Sequence, residues 1–398
     1  MVPPPDIGEI AARLQRLGAL AQAEPLYRQA LQERPDDADL WTGLGQVCNG
    51  LGCRVEAAAC FWRAVRSRPD DPIPRNELGI LLMQQGDLAE AVAHFERALE
   101  LRPDLVAVGN NLGLALLSLG RVEDARLRFE QALGVRPDLA ELHNNLGLAL
   151  QRLGQVEEAR GRFEHAVGLL PEWADAHNNL GVALADLGMP DGALACFERA
   201  ARCDPGHFGA LTNLGNSCQD QGRPAEAVAF FRRALALRPE DAKVHSNLLL
   251  ALQYRPGTEP QEILHEARAY ARRHAEPLAG AIAPQRVRPL AGRRLRIGYV
   301  SADFREHPVA RFLEPILAAH DHQHFEIVCY SDVPRPDTAT GRLQGYADHW
   351  RSLVGLSDAE AAEKILADGI DLLVDLAGHT AGNRLPTFAR RPAPAQVS

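Results

Sequence analysis

The chain has 398 residues, 46% hydrophobic and 24% charged, enough apolar material for two or three domains. Its formal charge of -9 argues against a nucleic-acid binder, because neutralising phosphates takes a basic surface, although local basic patches stay open. No apolar run reaches the roughly 18 residues of a membrane span, and residues 1–10, with Pro3, Pro4, Pro5, Asp6 and Glu9, lack the basic start and apolar centre of a signal peptide.

The expected compartment is therefore the cytoplasm. Cys48, Cys53, Cys60, Cys196, Cys203, Cys218 and Cys329 include no CxxC pair, which points to reduced thiols rather than a disulfide framework or a zinc site.

From residue 4 to residue 257 the chain repeats itself every 34 residues. Pro35, Pro69, Pro103, Pro137, Pro171, Pro205 and Pro239 stand in register, as do Gly45, Gly79, Gly113, Gly147, Gly181 and Gly215. A second glycine series includes Gly120 and Gly154, an alanine series includes Ala125 and Ala159, and an aromatic series runs from Tyr27 through Phe61, Phe95, Phe129, Phe163 and Phe197 to Phe231. Within a unit, apolar residues recur at helical spacing over 139–153 and again over 156–169. The first segment stops at Gly154, where a left-handed turn costs little without a side chain. Each unit is thus expected to be a helical hairpin. Gly147 and Ala159 allow close approach of its two helices, and Phe163 fills the space beside them. Asp36, Asp70, Asp104 and Asp138, just after the prolines, are expected to cap the following helices.

Seven full units and the first helix of an eighth fit this pattern. It resembles the tetratricopeptide repeat, whose units stack into an α-α superhelix with a concave groove suited to polypeptides. The landmark residues are structural and speak to fold alone. One further series does not: Asn111, Asn145, Asn179, Asn213 and Asn247, with Asn76, Asn110, Asn144 and Asn178 beside them. Asparagine is a poor helix-interior residue. Its amide both donates and accepts, so a ladder of amides could grip the backbone of an extended peptide. The competing reading is that the amides bond neighbouring repeats or water.

The eighth unit breaks the pattern with Leu249 and with Pro256-Gly257. An amphipathic helix over 259–278 is expected to cap the array, and 258–293 as a whole reads as cap and linker. From residue 294 the pattern becomes that of a parallel α/β sheet: strands over 295–301, 325–331 and 371–378 alternate with helices over 309–319, 338–347 and 357–368, and a further short strand is possible at 349–353. Ligands of such sheets sit at the carboxyl ends of strands. That selects Ser301-Ala302-Asp303-Phe304-Arg305-Glu306-His307-Pro308 and Gly378-His379-Thr380-Ala381-Gly382-Asn383-Arg384. His307 is the candidate for proton transfer, since imidazole titrates near neutral pH. His320, His322 and His324 have no accompanying carboxylate or cysteine set in the sequence, which argues against a metal site.

The strings LRIGYVSADFREHPVARFLEP, DGIDLLVDLAGHTAGNR and FARRPAPAQVS, behind a repeat array, resemble the protein O-linked N-acetylglucosamine transferase family. The resemblance implies an inverting glycosyltransferase with a Rossmann-like lobe of the GT-B type. Its donor substrate would be UDP-N-acetylglucosamine, its acceptors serine and threonine hydroxyls of proteins, with no metal or other cofactor. It implies catalytic roles for His307, through the His307-Pro308 pair, and for His349, and a place near the acceptor for Gly378, His379, Thr380 and Gly382. It also leads to the expectation that residues 294–398 are an incomplete first lobe, inactive alone for want of the donor-binding second lobe. Competing readings are a peptide-binding scaffold with a vestigial α/β domain, and a related transferase using another sugar nucleotide such as GDP-fucose. Assembly into homo-oligomers through the repeats is compatible with all three.

Overall fold

The computed structural model describes residues 6–281, 289 and 292–398. Residues 4 and 5 of the repeat span, and most of the linker read over 279–293, lie outside them. Contacts part the chain into two compact units, Met1–Pro205 and Gly206–Ser398.

The first unit is built from helical hairpins: α1 (Ile7–Arg16) and α2 (Leu20–Glu33), α3 (Ala38–Gly50) and α4 (Arg54–Ser67), α5 (Pro72–Gln85) and α6 (Leu88–Leu101), α7 (Val106–Ser118) and α8 (Val122–Val135), α9 (Ala140–Arg152) and α10 (Val156–Leu169), α11 (Ala174–Asp186) and α12 (Pro190–Cys203). Steric fit dictates the pairing. A Cβ placed on Gly45, Gly79, Gly113, Gly147 or Gly181 would sit 2.4–2.6 Å from a ring carbon of Phe61, Phe95, Phe129, Phe163 or Phe197. The glycine of one helix is therefore the socket for the ring of the next. These rings are almost wholly buried, each worth roughly 1.5–3 kcal/mol in apolar transfer. Gly120 and Gly154 turn the chain between helices with φ of 76° and 80°, as the spacing predicts.

The capping aspartates differ from expectation by one position. Asp37 accepts hydrogen bonds from the Asp39 and Leu40 amides, and Asp71 from the Ile73 amide. Asp36 and Asp70 lie one residue earlier, in the turn, where a side chain is not yet aligned with the first free helix amides. Where the next residue is Leu105 or Leu139, Asp104 and Asp138 do not replace it, and α7 and α9 begin without a side-chain cap.

The second unit opens with α13 (Phe208–Asp220), α14 (Pro224–Leu237) and α15 (Ala242–Tyr254), followed by α16 (Pro260–Tyr270). The helix expected over 259–278 is interrupted: Ala271–Ala275 widens into a π-helix and Glu276–Leu278 tightens into a 3₁₀ turn. Pro277 has no amide to donate and its ring crowds the preceding turn, so a regular helix cannot run through it.

The sheet that follows has five parallel strands in the order β3-β2-β1-β4-β5. They are β1 (Leu295–Ser301), β2 (Phe325–Ser331), β3 (His349–Ser352), β4 (Leu372–Asp375) and β5 (Ala395–Val397), connected through α17 (Pro308–Ala318), α18 (Thr338–Gln344), α19 (Asp358–Asp368) and α20 (Leu385–Ala389). Strand alternation divides two cores. Ile297, Tyr299, Ile327 and Cys329 pack with Leu313, Leu317 and Leu343 on one face. Val300, Val328, Tyr330 and Leu373 pack with Ile365, Ile370 and Phe388 on the other. β5 and α20 are the elements that periodicity misses, being too short to show a period. Among the described residues no helix is long and apolar enough to cross a membrane.

Candidate functional site

Strand order locates the crevice. The chain moves outward from β1 to β2 and β3, then returns to the other side of β1 with β4. The loops leaving β1 and β4 therefore start side by side at the carboxyl edge, where the winding direction reverses and parallel sheets bind ligands. They are the two loops selected from the sequence. Their contact is close: a Cβ on Gly382, at φ 75°, would lie 2.7 Å from the Ala302 Cβ.

Each loop has a buried aspartate at its base: Asp303 within the stretch selected from the sequence, and Asp375 just before the other. Asp375, the last residue of β4, accepts from the Ala377 and Gly378 amides at 2.9 Å each. Those bonds bend the chain into the Gly378–Gly382 turn, in which the Thr380 hydroxyl donates to the Ala377 carbonyl at 2.7 Å. In the other loop Asp303 is 7% exposed, and its amide donates to Ser301 Oγ. Its carboxylate lies 3.6 Å from His307 Nδ1. The available signal was positional, an acid within two residues of a strand's carboxyl end.

His307 is the N-cap of α17, in extended conformation, and Pro308 opens the helix, where its missing amide is no loss. The His307 Nδ1 accepts from the Val309 amide at 3.3 Å. In that arrangement a neutral imidazole carries its proton on Nε2 and can only donate from it. Moving Nδ1 from the helix amide to Asp303 would place the proton on Nδ1 and make Nε2 a base. The long cap bond and the nearby carboxylate make this a small rearrangement. A third of the side chain is exposed, enough for a substrate to reach.

His349 is elsewhere. It begins β3 beside Val328, in the middle of β2, roughly 10 Å short of the carboxyl edge at the strand rise. Its Nε2 pairs with Glu326 at 3.1 Å, in a hollow shared with Arg296, Arg351 and Asp368. The structure does not bring His349 to His307, because the preceding residue, Asp348, is drawn back toward the amino end. Burial favours the neutral form of Asp348, but the Ile327 amide, Arg294 and His322 outweigh it and lower its pKa to about 2. The histidines of HDHQH go to separate partners: His320 to Tyr299, His322 to Asp348, His324 to Asp321.

His379 points into the protein. Its Nδ1 shares a 3.0 Å hydrogen bond with Ser246 Oγ of α15, and its ring meets Tyr270 edge-on at 4.8 Å. Behind Tyr270 lie His245, fully buried, and His274, joined Nδ1 to Nε2 at 2.9 Å, with His245 Nε2 on Glu266. Burial lowers the pKa of all three imidazoles, that of His274 to about 4 with help from His245 and Arg273. A neutral histidine cluster thus fastens the Gly378–Gly382 loop to the last repeat helix. His274 sits in the π-helical segment, which no sequence period announces.

The asparagines have lateral partners. Asn111 donates to Asn76 at 3.1 Å, Asn145 to Asn110 at 2.8 Å and Asn179 to Asn144 at 2.9 Å; in the second unit Asn247 donates to Asn216 at 3.0 Å. Asn213 lies on α13. The amides of the series are half-buried. Each such bond uses one N–H of the donor amide, which has a second N–H and an oxygen besides.

Residues 280–398 match the family Glycosyl transferase family 41. Residues 14–75, and 72–138, 138–206 and 172–240, match tetratricopeptide repeat families. A probable UDP-N-acetylglucosamine–peptide N-acetylglucosaminyltransferase SPINDLY of Oryza sativa subsp. japonica is 34% identical over 172 residues, 41% of this chain and 18% of that protein. The UDP-N-acetylglucosamine–peptide N-acetylglucosaminyltransferase of Caenorhabditis elegans is 41% identical over 108 residues, 27% of this chain and 9% of its own length. A solved mutant of the Thermobaculum terrenum O-GlcNAc transferase superposes with TM-score 0.58 at 38% identity, covering 65% of this chain and 49% of that one. The chain thus spans less than a fifth of the curated relatives it matches and about half of the bacterial enzyme.

Proposed function

From a chain that joins tetratricopeptide repeats to a segment of glycosyl transferase family 41, we propose the acceptor-holding part of a protein O-GlcNAc transferase of GT-B architecture. The repeats bind an extended polypeptide through the free N–H and oxygen of amides such as Asn111, Asn145 and Asn179. The crevice between the β1 and β4 loops receives a serine or threonine of an acceptor protein. Transfer from UDP-N-acetylglucosamine forms a bond between the hydroxyl oxygen and the sugar's anomeric carbon, breaks the bond to UDP, and releases the hydroxyl proton. His307 takes or positions that proton, with Asp303 holding its Nδ1 side. Gly378, Thr380 and Gly382 shape the acceptor wall. His379 acts from behind, holding the turn. A reducing, cytoplasmic setting belongs to this reading, supported by seven free thiols.

The observation that carries the proposal is the meeting of the His307 and Gly378–Gly382 loops at the switch point of a sheet whose sequence matches family 41. Two measurements test it. Anisotropy titration of the chain with a labelled serine/threonine-rich peptide should show binding that weakens at least about tenfold on combined Asn111→Ala, Asn145→Ala and Asn179→Ala, the loss of roughly 1.4 kcal/mol in hydrogen bonds. Unchanged affinity sinks the amide ladder. In the full-length protein made by its host, transfer of labelled N-acetylglucosamine should fall at least about 100-fold in His307→Ala, and less than about tenfold in His349→Ala. The reverse order would move the chemistry to β3. Transfer from GDP-fucose instead would reassign the donor, and peptide binding without any transfer would leave a scaffold.

A further inference from the structure

The asparagine pairs follow a rule of register. The residue just before a ladder asparagine accepts the bond of the next repeat: Asn76 accepts from Asn111, Asn110 from Asn145, and Asn144 from Asn179. Further along the chain Thr212 and Ser246 hold that same place. The Thr212 hydroxyl is lost to the ladder, because it turns back on the Phe208 carbonyl of its own helix at 2.9 Å. Asn247 bonds Asn216, one turn on from Thr212, and so remains a rung. One repeat beyond Asn247 stands Ala281, which has no amide side chain to offer Ser246.

The Ser246 hydroxyl has another use. Ser246 is 1% exposed, and its Oγ lies 3.0 Å from His379 Nδ1 in the turn after β4. Tyr270 meets that imidazole edge-on and backs the ring. The turn is thereby braced twice, by Asp375 from the sheet, through the Ala377 and Gly378 amides, and by Ser246 from the last repeat helix. At its far end Gly382 packs on Ala302, in the loop that carries His307. All of these residues belong to the unit Gly206–Ser398. Adjacent helical residues point about 100° apart, so α15 buries Ser246 on one side and leaves Asn247 half-exposed on another. One helix holds both the last rung and the acceptor wall.

We propose that Ser246 is a positioning residue for sugar transfer: through His379 it fixes the distance from the Asn247 rung to the acceptor turn, and so selects which serine or threonine of a polypeptide gripped at Asn247 enters the crevice. This rests on the reading of the asparagines as a peptide grip and of the β1 and β4 loops as the acceptor site. An extended polypeptide advances roughly 3.3 Å per residue, so a turn free to move by that much exchanges one acceptor residue for the next. A buried hydrogen bond between the turn and the rung helix prevents the exchange. Ser246 acts behind the turn, whereas Asn247 meets the polypeptide. Loss of the Ser246 bond therefore leaves the grip on the peptide and lowers the share of bound peptides in reactive geometry, which falls on kcat rather than KM.

The test uses the full-length protein made by its host, UDP-N-acetylglucosamine, and peptides in which a fixed segment is flanked by runs of serine, with the modified serine located by mass spectrometry. The unaltered protein should favour one serine. Ser246→Ala should spread modification to its neighbours and lower kcat at least about fivefold, with KM for the peptide held within about twofold. His379→Phe, which keeps a ring against Tyr270 but removes Nδ1, should do the same, and the double variant should be no worse than either alone. Thr212→Ala, which removes a hydroxyl at the same register outside the ladder, should leave the favoured serine in place. Four results overturn the inference while leaving the transferase reading intact: no favoured serine in the unaltered protein, an unmoved one in folded Ser246→Ala, additive losses in the double variant, or an equal spread in Thr212→Ala. No transfer by the unaltered protein overturns that reading, and the inference falls with it. His379→Phe probes the bond from its other end, so the test holds even if Ser246→Ala does not fold.

Discussion

Gly147→Ala separates two effects that usually travel together when glycine leaves a helix. Alanine in a helix interior is favoured over glycine by about 0.8–1 kcal/mol. At Gly147 the new methyl carbon would lie 2.6, 2.8 and 2.9 Å from three carbons of the Phe163 ring, where carbon–carbon contacts rest at about 3.5–4.0 Å. The ring is fully buried and has to be displaced by roughly an ångström, at about 1–3 kcal/mol for overpacking. The propensity gain offsets part of this, leaving Gly147→Ala neutral to about 2 kcal/mol destabilising. Gly161→Ala, on the same helix as Phe163, is the internal control, because nothing lies within 4 Å of its Cβ; it should stabilise by about 0.8–1 kcal/mol. The difference between the variants, about 1–3 kcal/mol, is the steric cost. Urea unfolding followed by helical circular dichroism reads it from the midpoints, with neighbouring repeats unfolding together through their interfaces. Adding Phe163→Leu should remove most of the difference. If Gly147→Ala stabilises as much as Gly161→Ala, the socket account of the 34-residue period is wrong.

Two further outcomes follow from the caps and the buried histidines. Asp71→Ala should cost about 0.5–2 kcal/mol through loss of the bond to the Ile73 amide, whereas Asp70→Ala should stay within about 0.5 kcal/mol; equal urea midpoints for the two would refute the one-residue displacement of the cap. His245, His274 and His379 are held below the ordinary imidazole pKa of about 6.5, with His274 near 4. As pH falls the unfolded chain takes up these protons first, so this stability is complete above about 6.5 and is lost as pH falls toward 4. His274→Gln should flatten that loss between pH 7.5 and 5 in urea midpoints, and an unchanged slope would clear the cluster of the effect.

Much of the fold was legible because the repeats write it out several times over. Gly147 and Phe163, read as socket and knob, are that, and Gly154 makes the left-handed turn. The strands β1 and β2 and the helices between them appear at the expected residues, since each has a period long enough to read. The caps are Asp37 and Asp71, one residue beyond Asp36 and Asp70, because composition marks an aspartate after the proline whereas capping depends on where the backbone first becomes helical. At the site, His307 and the Gly378–Gly382 turn could be chosen from their places after strands. That the two loops meet could not, since nothing local says that β4 lies against β1 rather than beyond β3.

The sequence alone thus settled what depends on neighbours a few residues apart or on a fixed period: helical hairpins, their close packing, a parallel α/β segment, and the loops at its carboxyl edge. Tertiary structure decided what depends on which distant residues share a space. It set His307 over Asp303 and took His349 to another part of the sheet. It turned His379 inward to Ser246, Tyr270 and the paired imidazoles of His245 and His274. It also gave two glycines of one helix different neighbours: the Phe129 ring presses against Gly113, whereas a Cβ on Gly109 would meet only the Ala132 Cβ, at 3.5 Å. A periodic pattern fixes the place of a residue in its own helix, but side-chain hydrogen bonds and cavities are set by the geometry among helices, strands and turns that the pattern does not encode.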